Sequence, residues 1–403
     1  MDVATSRLPK DRIEGLDDDR ASRFAKWLAA TWQSGLLPRP RLDTVRSKAA
    51  ELAKNASDDT WQLALDQLLD SLRKEAELNE IGLMFAYAQL TALLRQRQLA
   101  QRLWRCKPEI LELPIERPVI VLGHMRSGTT RLQRLLGCDA RFAHTRFYEV
   151  MSPVPPIPDL RKPKSWAQLK LLNFLNPQLQ AVHPTAATAV EEAFGLLSFS
   201  FYGAQIEAQW RVPSFARFWE AQDKTWVYRE FRQLLQTLAW QRGETAKPWV
   251  LKAPQFMEDL EPLLERFPDA RLICLHREPS DVVASSASLV WNPMKLQSDA
   301  ADRHWIGAEW LHKTARREHI CASVRAERPD VPQIDTDFAA MNRDWRGEMR
   351  QIYAFLDLEF TLEVERRMER YLVAAEKSGF RRHSYRAEDF GLTPEIMRNA
   401  VGA

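Results

Sequence analysis

The chain has 403 residues, of which 45% are hydrophobic, so it can bury a large core in one big domain or two modest ones. Its 57 Lys and Arg nearly balance 54 Asp and Glu, and a net charge of +3 argues against a nucleic-acid-binding protein with a broad basic surface. Four scattered cysteines without a C-x-x-C pair indicate neither a zinc knuckle nor a disulfide framework, so we expect a reducing, cytoplasmic location.

The N-terminal sequence contains no apolar segment typical of a secretory signal peptide. Residues 193–204 form the longest weakly polar stretch, but a membrane-spanning helix needs roughly 18 to 20 apolar residues. We therefore predict a buried helix at residues 193–204 and no membrane span.

Residues up to about 105 show a helical pattern throughout. Apolar side chains recur every three or four residues, as at Trp61, Leu65, Leu68 and Leu72, which places them on one side of a helix. No pattern typical of a strand occurs in this part. We predict an N-terminal helical region over residues 1–110, followed by one α/β domain over residues 115–403.

After Pro118 the pattern changes to short apolar segments that alternate with amphipathic ones. Strands that alternate with helices are typical of a parallel sheet with helices packed on both of its faces. The predicted strands are residues 119–122, 142–148, 249–251 and 271–276. The predicted helices are residues 130–136, 257–267 and 281–290.

The segment that follows the first predicted strand has the pattern of a phosphate-binding loop. Gly123 and Gly128 have the spacing of G-x-x-x-x-G, between a buried strand and the N-terminus of a helix. A nucleoside triphosphatase would place Lys directly after the second glycine, whereas this chain has Thr129 there. A turn of this kind without a ligand is the alternative interpretation. The loop offers one cation and three hydroxyl groups, those of Arg126, Ser127, Thr129 and Thr130.

The run Arg126-Ser127-Gly128-Thr129-Thr130 resembles the 5′-phosphosulfate loop of the sulfotransferases that use PAPS, 3′-phosphoadenosine 5′-phosphosulfate. The resemblance covers roughly residues 115–395. It implies a P-loop-like sulfotransferase fold with a parallel sheet, and transfer of a sulfuryl group from PAPS to a hydroxyl or amine. The products would be PAP and a sulfated small molecule, lipid or glycan. No metal would be required.

A second segment has the features of an anion site, and the 3′-phosphate of PAPS needs such a site. Arg277 follows a predicted strand, and Ser285 lies eight residues later in a helix that begins near Pro279. Arginine binds phosphate through two hydrogen bonds, and serine adds another. The spacing resembles that of the family's 3′-phosphate motif. In isolation, Arg277 could instead pair with Glu278 or Asp281 at a solvated helix start.

A third, basic segment at residues 378–392 is similar to the C-terminal segment of the bacterial branch of the family. By that resemblance Arg381, Arg382 or His383 closes over the donor. A basic surface loop is the alternative for each of these residues.

Sulfuryl transfer requires cations at the leaving phosphate and a base for the acceptor's proton. Arg126 and Lys252 are the candidate cations, and Lys252 follows a predicted strand. Glu149 is the first candidate for the base because it follows the strand predicted at 142–148 and several family members have a glutamate there. The other candidates are His183, Glu191 and Glu192 for the base, and His124 for a contact with the sulfuryl group.

Aromatic residues are dense between the two donor segments. Most of them should lie in the core, because aromatic side chains dominate buried area in any protein. Some could line an apolar cleft suited to a lipid, sterol, carotenoid or phenol. The residues are Phe194, Phe199, Phe201, Tyr202, Trp210, Phe215, Phe218 and Trp219.

Two other functions fit parts of the pattern. A P-loop kinase or nucleoside triphosphatase would share the loop, but it needs the missing lysine and an acidic partner for Mg²⁺. A nucleotide-binding module without turnover would keep Arg126, Thr129, Arg277 and Ser285. We expect a nucleotide donor and an acceptor as partners, and no nucleic acid. The pattern indicates no particular oligomeric state.

Overall fold

The computed structural model describes residues 11–54, 60–177, 184–377 and 385–401. Its centre is a sheet of five parallel strands in the order β2-β3-β1-β4-β5. The strands are β1 Val119–Leu122, β2 Ala143–His144, β3 Trp249–Lys252, β4 Arg271–His276 and β5 Gln333–Asp337.

Helices make up most of the rest of the described chain. Those before the sheet are α1 Asp11–Gln33, α2 Leu42–Ala53, α3 Thr60–Lys74 and α4 Glu80–Cys106. Those between β1 and β4 are α5 Thr129–Leu136, α6 Phe147–Met151, α7 Arg161–Leu175, α8 Phe194–Leu197, α9 Ala204–Glu207, α10 Pro213–Glu220, α11 Thr225–Arg242 and α12 Leu260–Arg266. Those after β4 are α13 Pro279–Gln297, α14 Arg303–Glu327, α15 Phe338–Arg343, α16 Trp345–Phe355, α17 Leu362–Lys377 and α18 Pro394–Val401.

Side chains of the central strands alternate between two hydrophobic clusters, one on each face of the sheet. In β1, Ile120 and Leu122 belong to the first cluster, whereas Val119 and Val121 belong to the second. Helices α3, α4, α11 and α12 cover the first face, and α5, α16 and α17 cover the second. All four residues of β1 are buried, as is typical of a parallel sheet covered on both sides. The predicted α/β architecture is confirmed.

The three central strands determine where a ligand can bind. β1 pairs with both β3 and β4, and Leu122 at its end lies opposite Cys274 of β4. Because parallel strands all end at the same edge, the loops after β1, β3 and β4 lie side by side. The loops after β1 and β4 begin the two predicted anion-binding segments, and Lys252 is the last residue of β3.

The strand expected at residues 142–148 is wrong for most of its length. β2 has only two residues, and α6 begins at Phe147. The reason is a helix cap, since the Glu149 carboxylate accepts a hydrogen bond from the backbone N–H of Arg146 at 3.1 Å. Glu149 therefore lies within the first turn of α6, and no strand precedes it directly.

The single helix expected at residues 193–204 is also wrong. The segment is buried, as predicted, but it is divided into α8, a 3-10 turn at Ser198–Ser200 and the start of α9. The break between the 3-10 turn and α9 falls at Phe201, whose φ of 52° is left-handed and cannot continue a helix. None of the described helices has the length and apolarity needed to cross a bilayer.

The N-terminal helices share one hydrophobic core with the sheet. Trp61 of α3 packs against Phe201, with ring centroids 5.8 Å apart, and both belong to the cluster on the first face. Arg97 of α4 forms a buried ion pair with Glu230 of α11, with a nitrogen-to-oxygen distance of 2.6 Å. The core is thus continuous across residue 110, and the division into two regions there stays a prediction.

Candidate functional site

The loop after β1 requires glycine at two positions. Gly123 and Gly128 have φ angles of 149° and 95°. A Cβ on Gly123 would lie 2.6 Å from Cγ2 of Thr129 and 2.8 Å from the carbonyl oxygen of Leu275, so no side chain fits there. A Cβ on Gly128 would lie 2.7 Å from the ring of Phe338. The loop is therefore held in one shape by its surroundings.

The hydroxyl groups of this loop form hydrogen bonds within the protein. Ser127 donates to the carbonyl oxygen of His124 at 2.7 Å, and Thr129 lies 3.5 Å from the same oxygen. Thr130 donates to the Glu192 carboxylate at 2.7 Å. An anion in the loop would meet the backbone N–H groups that begin α5, which have no partner within the helix, and the guanidinium of Arg126.

The two predicted anion-binding segments are in direct contact. Arg277 follows β4 and donates a hydrogen bond of 2.7 Å to the carbonyl oxygen of Arg126. Arg126 in turn donates through Nε to the hydroxyl of Ser285 on α13, at 3.1 Å. Burial is the main effect that lowers the pKa of Arg126, and the neighbouring Arg277 lowers it further. Two guanidinium groups and one hydroxyl therefore meet at one place, as an anion with several negative charges requires.

The guanidinium of Arg277 is also positioned by an aromatic ring. Its central carbon lies 4.4 Å from the ring centroid of Phe338, the first residue of α15. The alternative ion pair between Arg277 and Asp281 is present at 3.5 Å, but the Asp281 side chain is 61% exposed. A pair this exposed contributes little, so it does not prevent Arg277 from binding an anion.

Lys252, Glu192 and Thr130 form a buried chain beside the loop. The Lys252 ammonium, at the end of β3, lies 2.6 Å from one carboxylate oxygen of Glu192, and Thr130 donates to the other oxygen. Both charged side chains are almost completely buried. Burial lowers the pKa of Lys252, and the attraction of Glu192 opposes this effect. Lys252 is therefore an internal cation and not a solvated lysine at the end of a strand.

Glu149 lies in a different environment. The Arg242 side chain pairs with both of its carboxylate oxygens, and the Tyr148 hydroxyl donates to one of them at 2.8 Å. Phe147 and Val150 are among the described residues that line the large cavity next to the loop, but Glu149 is not. Its carboxylate stabilises the start of α6 and the contact with α11.

The remaining candidates are separated by the structure. His124 lies 2.7 Å from the Glu318 carboxylate of α14 and is buried. The Glu191 carboxylate accepts a hydrogen bond from Thr185 at 2.7 Å. His183, Arg381, Arg382 and His383 lie outside the described residues. Within the described residues, no group of three or more His, Cys, Asp or Glu side chains is arranged to hold a metal ion.

One cavity of about 1210 Å³ joins these groups to an apolar compartment. Its volume exceeds the roughly 300 to 1,000 Å³ of a typical site for one ligand, so it has room for a donor and an acceptor together. The wall near the loop includes Arg126, Gly128, Thr130, Glu192 and Arg277.

The apolar compartment is formed largely by residues for which the sequence predicts no function. One side of α4 and one side of α13 contribute to its wall, and α7 and α17 also line the cavity. Of the eight aromatic residues named in the sequence analysis only Phe194 lines it, and most of the others are fully buried in the core as predicted. No single-sequence pattern distinguishes α4 residues that face a cavity from those that face the core. The α4 and α13 residues are Phe85, Ala88, Gln89, Ala92, Leu93, Leu289, Val290, Pro293, Leu296 and Gln297.

Comparisons with known proteins place the chain among sulfotransferases in sequence and in fold. Residues 118–362 match the model of a family described as the sulfotransferase family. The fold is similar to that of the sulfotransferase STF1 from Mycobacterium tuberculosis, at 28% identity and a TM-score of 0.73, covering 90% of this chain and 98% of that one. It is also similar to STF9 from Mycobacterium avium, at 24% identity and a TM-score of 0.78, covering 90% and 95%. No curated protein matches the sequence.

Proposed function

Because the chain belongs to the sulfotransferase family, we propose that the sulfuryl group it transfers comes from PAPS and that PAP is released afterwards. PAPS carries negative charge at two ends, the 5′-phosphosulfate and the 3′-phosphate. The observation that supports this donor is the contact between two cationic segments, in which Arg277 donates to the carbonyl of Arg126 at 2.7 Å. ATP and ADP have no 3′-phosphate, so they leave the second segment unused.

Each segment binds one end of the donor in this proposal. The backbone N–H groups at the N-terminus of α5, together with the Arg126 guanidinium, bind the 5′-phosphosulfate. Arg277 and Ser285 bind the 3′-phosphate. Arg381 and Arg382, outside the described residues, stay proposed contacts that close over the donor.

We assign the base to Glu192. The reaction breaks the bond between sulfur and the 5′-phosphate oxygen, forms a bond between sulfur and the acceptor oxygen, and moves the acceptor's proton to a base. Glu192 lines the cavity, and its hydrogen bond with Thr130 ties its carboxylate to the loop that holds the sulfuryl group. Lys252, 2.6 Å away, balances the carboxylate's charge and adds a cation beside the leaving phosphate.

Glu149, the first candidate from the sequence, has less support as the base. Its two carboxylate oxygens accept hydrogen bonds from Arg242. Among the described residues, its neighbours on α6 line the cavity, but Glu149 does not. A base needs access to the acceptor's proton, directly or through one water. Glu149 is therefore the natural control for Glu192.

A titration with nucleotides tests the donor. We expect PAP to bind without magnesium and more tightly than ADP, because only PAP reaches Arg277 and Ser285. Equal affinity for PAP and ADP, or a requirement for magnesium, would contradict the proposal and favour a kinase. Turnover is then tested with radiolabelled PAPS and a panel of hydroxylated acceptors in excess EDTA.

The acceptor is an uncharged molecule with an apolar body in this proposal. Among the described residues, those of α4, α8, α9 and α13 that line the cavity include no ionisable side chain. The ionisable side chains that line other parts of the cavity wall, beyond those near the loop, come from α5, α7 and α17 and include Arg131, Arg134, Lys164, Glu369 and Glu376. The apolar body of the acceptor is therefore expected against α4 and α13. The acceptor panel should therefore give sulfated products from sterols, phenols or lipid alcohols, and little product from anionic glycans.

A further inference from the structure

Exposed apolar side chains are concentrated around α7. Thirteen large apolar side chains are exposed in the described part of the chain, and five of them fall within residues 157–174. Leu171 is one of these five, but it lines the cavity. The other four are Ile157, Leu160, Trp166 and Phe174, exposed by 101%, 57%, 60% and 53%. Large apolar groups clustered on a surface mark a site of contact with a partner.

Helix α7 has three distinct sides, each made by residues four positions apart. Arg161, Ser165 and Leu169 are buried against the protein. A second side lines the cavity and includes Lys164, Gln168 and Leu172. The third side, the outer stripe, consists of Lys162, Trp166, Lys170 and Phe174.

The outer stripe alternates cationic and aromatic side chains. All four are exposed, and the Lys170 ammonium lies 5.5 Å from the ring centroid of Trp166. Within residues 157–174 the one acidic residue, Asp159, pairs with Arg161 at 2.9 Å. Lys162, Lys164 and Lys170 therefore give this segment a net positive charge.

We propose that the outer stripe of α7, together with Ile157 and Leu160, binds the surface of a bilayer that contains anionic lipids. Tryptophan and phenylalanine enter the boundary between headgroups and acyl chains, and lysine side chains extend to the lipid phosphates. A second copy of the chain fits this surface less well. A symmetric dimer through the stripe would bring two positively charged surfaces together.

The same helix connects this surface to the cavity. Gln168 and Leu172 line the cavity on the side of α7 that is about half a turn away from the outer stripe, so the helix itself lies between the two. Contact with a bilayer would thus bring a reservoir of apolar molecules to the outer side of a helix whose opposite side lines the proposed acceptor compartment. The inference goes beyond the proposed function and depends on neither the identity of the donor nor that of the base.

Vesicle sedimentation with the full chain tests this proposal. We expect binding to vesicles of phosphatidylcholine with phosphatidylglycerol, and much weaker binding to phosphatidylcholine alone or at high salt. Trp166→Glu should weaken binding by about tenfold or more, because an inserted aromatic surface is lost. Lys170→Ala should weaken it by about fivefold, the usual contribution of one basic residue near an anionic surface.

Leu362→Glu is the matched control. Leu362 is 61% exposed, a fraction similar to that of Trp166, but it is the first residue of α17 and does not belong to the outer stripe. Replacing its apolar side chain with glutamate should therefore leave vesicle binding unchanged. Equal binding by Trp166→Glu and the original chain overturns the proposal. The proposal is also overturned if the chain does not bind vesicles and sedimentation velocity shows a dimer that Trp166→Glu dissociates. PAP affinity should be the same in all variants, which separates this test from that of the donor.

Discussion

The guanidinium of Arg277 donates a hydrogen bond of 2.7 Å to the carbonyl oxygen of Arg126. The Arg126 side chain in turn donates to the Ser285 hydroxyl at 3.1 Å. Two hydrogen bonds therefore connect the two anion-binding segments, one donated from each. A phosphate bound by Arg277 and Ser285 therefore also stabilises the loop that holds the opposite end of the donor. A change at Arg277 should affect both ends, but the 3′-phosphate more.

We expect Arg277→Ala to weaken PAP binding by roughly 10- to 150-fold, which corresponds to the loss of about 1.5 to 3 kcal/mol from charge-assisted hydrogen bonds. Adenosine 5′-phosphosulfate, which lacks the 3′-phosphate, should lose much less affinity. Calorimetric titration of both nucleotides measures the difference. Asp281→Asn is the control, because it removes the exposed 3.5 Å pair and keeps Arg277. Equal losses for the two nucleotides would contradict the assignment of Arg277.

Glu192→Gln should lower kcat by roughly 10² to 10⁴, the usual contribution of a general base, with little change in PAP affinity. Glutamine keeps an oxygen for the Thr130 hydrogen bond but cannot take the acceptor's proton. The variant also leaves Lys252 without its 2.6 Å partner, so some loss of stability is expected and must be measured separately. Turnover is compared at saturating donor with an acceptor identified in the panel.

Glu149→Gln is the matched control for this prediction. It breaks the buried pair with Arg242, so it should lower the midpoint of thermal unfolding. The folded fraction should still turn over at a rate close to that of the original chain. If Glu149→Gln abolishes turnover while Glu192→Gln does not, the base is Glu149 and the assignment to Glu192 is wrong.

Ala88→Trp should block the acceptor compartment and leave the donor site intact. Ala88 is on α4, is exposed and lines the cavity, so a larger side chain there fills space that an apolar acceptor would use. We expect KM for a bulky apolar acceptor to rise about tenfold or more, with an unchanged dissociation constant for PAP. Ala88→Ser changes the volume little and should behave like the original chain. Unchanged acceptor kinetics in Ala88→Trp would place the acceptor elsewhere in the cavity.

The central strands and the two anion-binding segments could be predicted from the sequence because their signals are local. A buried apolar run predicts β1 and β4, and Gly123, Gly128 and Arg277 follow those runs directly. β5 was not predicted, since four of its five residues are polar and its pattern resembles a loop. The position of β5 depends on its pairing with β4, which no local sequence pattern indicates.

The partners of the site residues could not be predicted, because they come from distant parts of the chain. Glu149 and Glu192 are both glutamates near apolar segments, and the difference between them is that Arg242 meets one and Lys252 meets the other. The Phe338 ring packs against both Gly128 and the Arg277 guanidinium, yet no pattern in the sequence around Phe338 indicates these contacts. Contacts of this kind arise only from tertiary packing.

Asp259 should make stability depend on pH in an unusual direction. Its side chain is fully buried, the hydroxyls of Tyr202 and Tyr228 donate to it at 2.6 and 3.0 Å, and burial raises its pKa from 3.8 to about 7. Because the folded chain holds this proton at a pH where the unfolded chain releases it, the contribution to stability is lost as pH rises from about 4 to 7. Asp259→Asn removes this titration, so the difference in unfolding free energy between the original chain and the variant should change by roughly 1 kcal/mol per pH unit between about pH 5 and 7. Urea unfolding at several pH values measures it, and parallel curves for the two proteins would show that Asp259 does not titrate in this range.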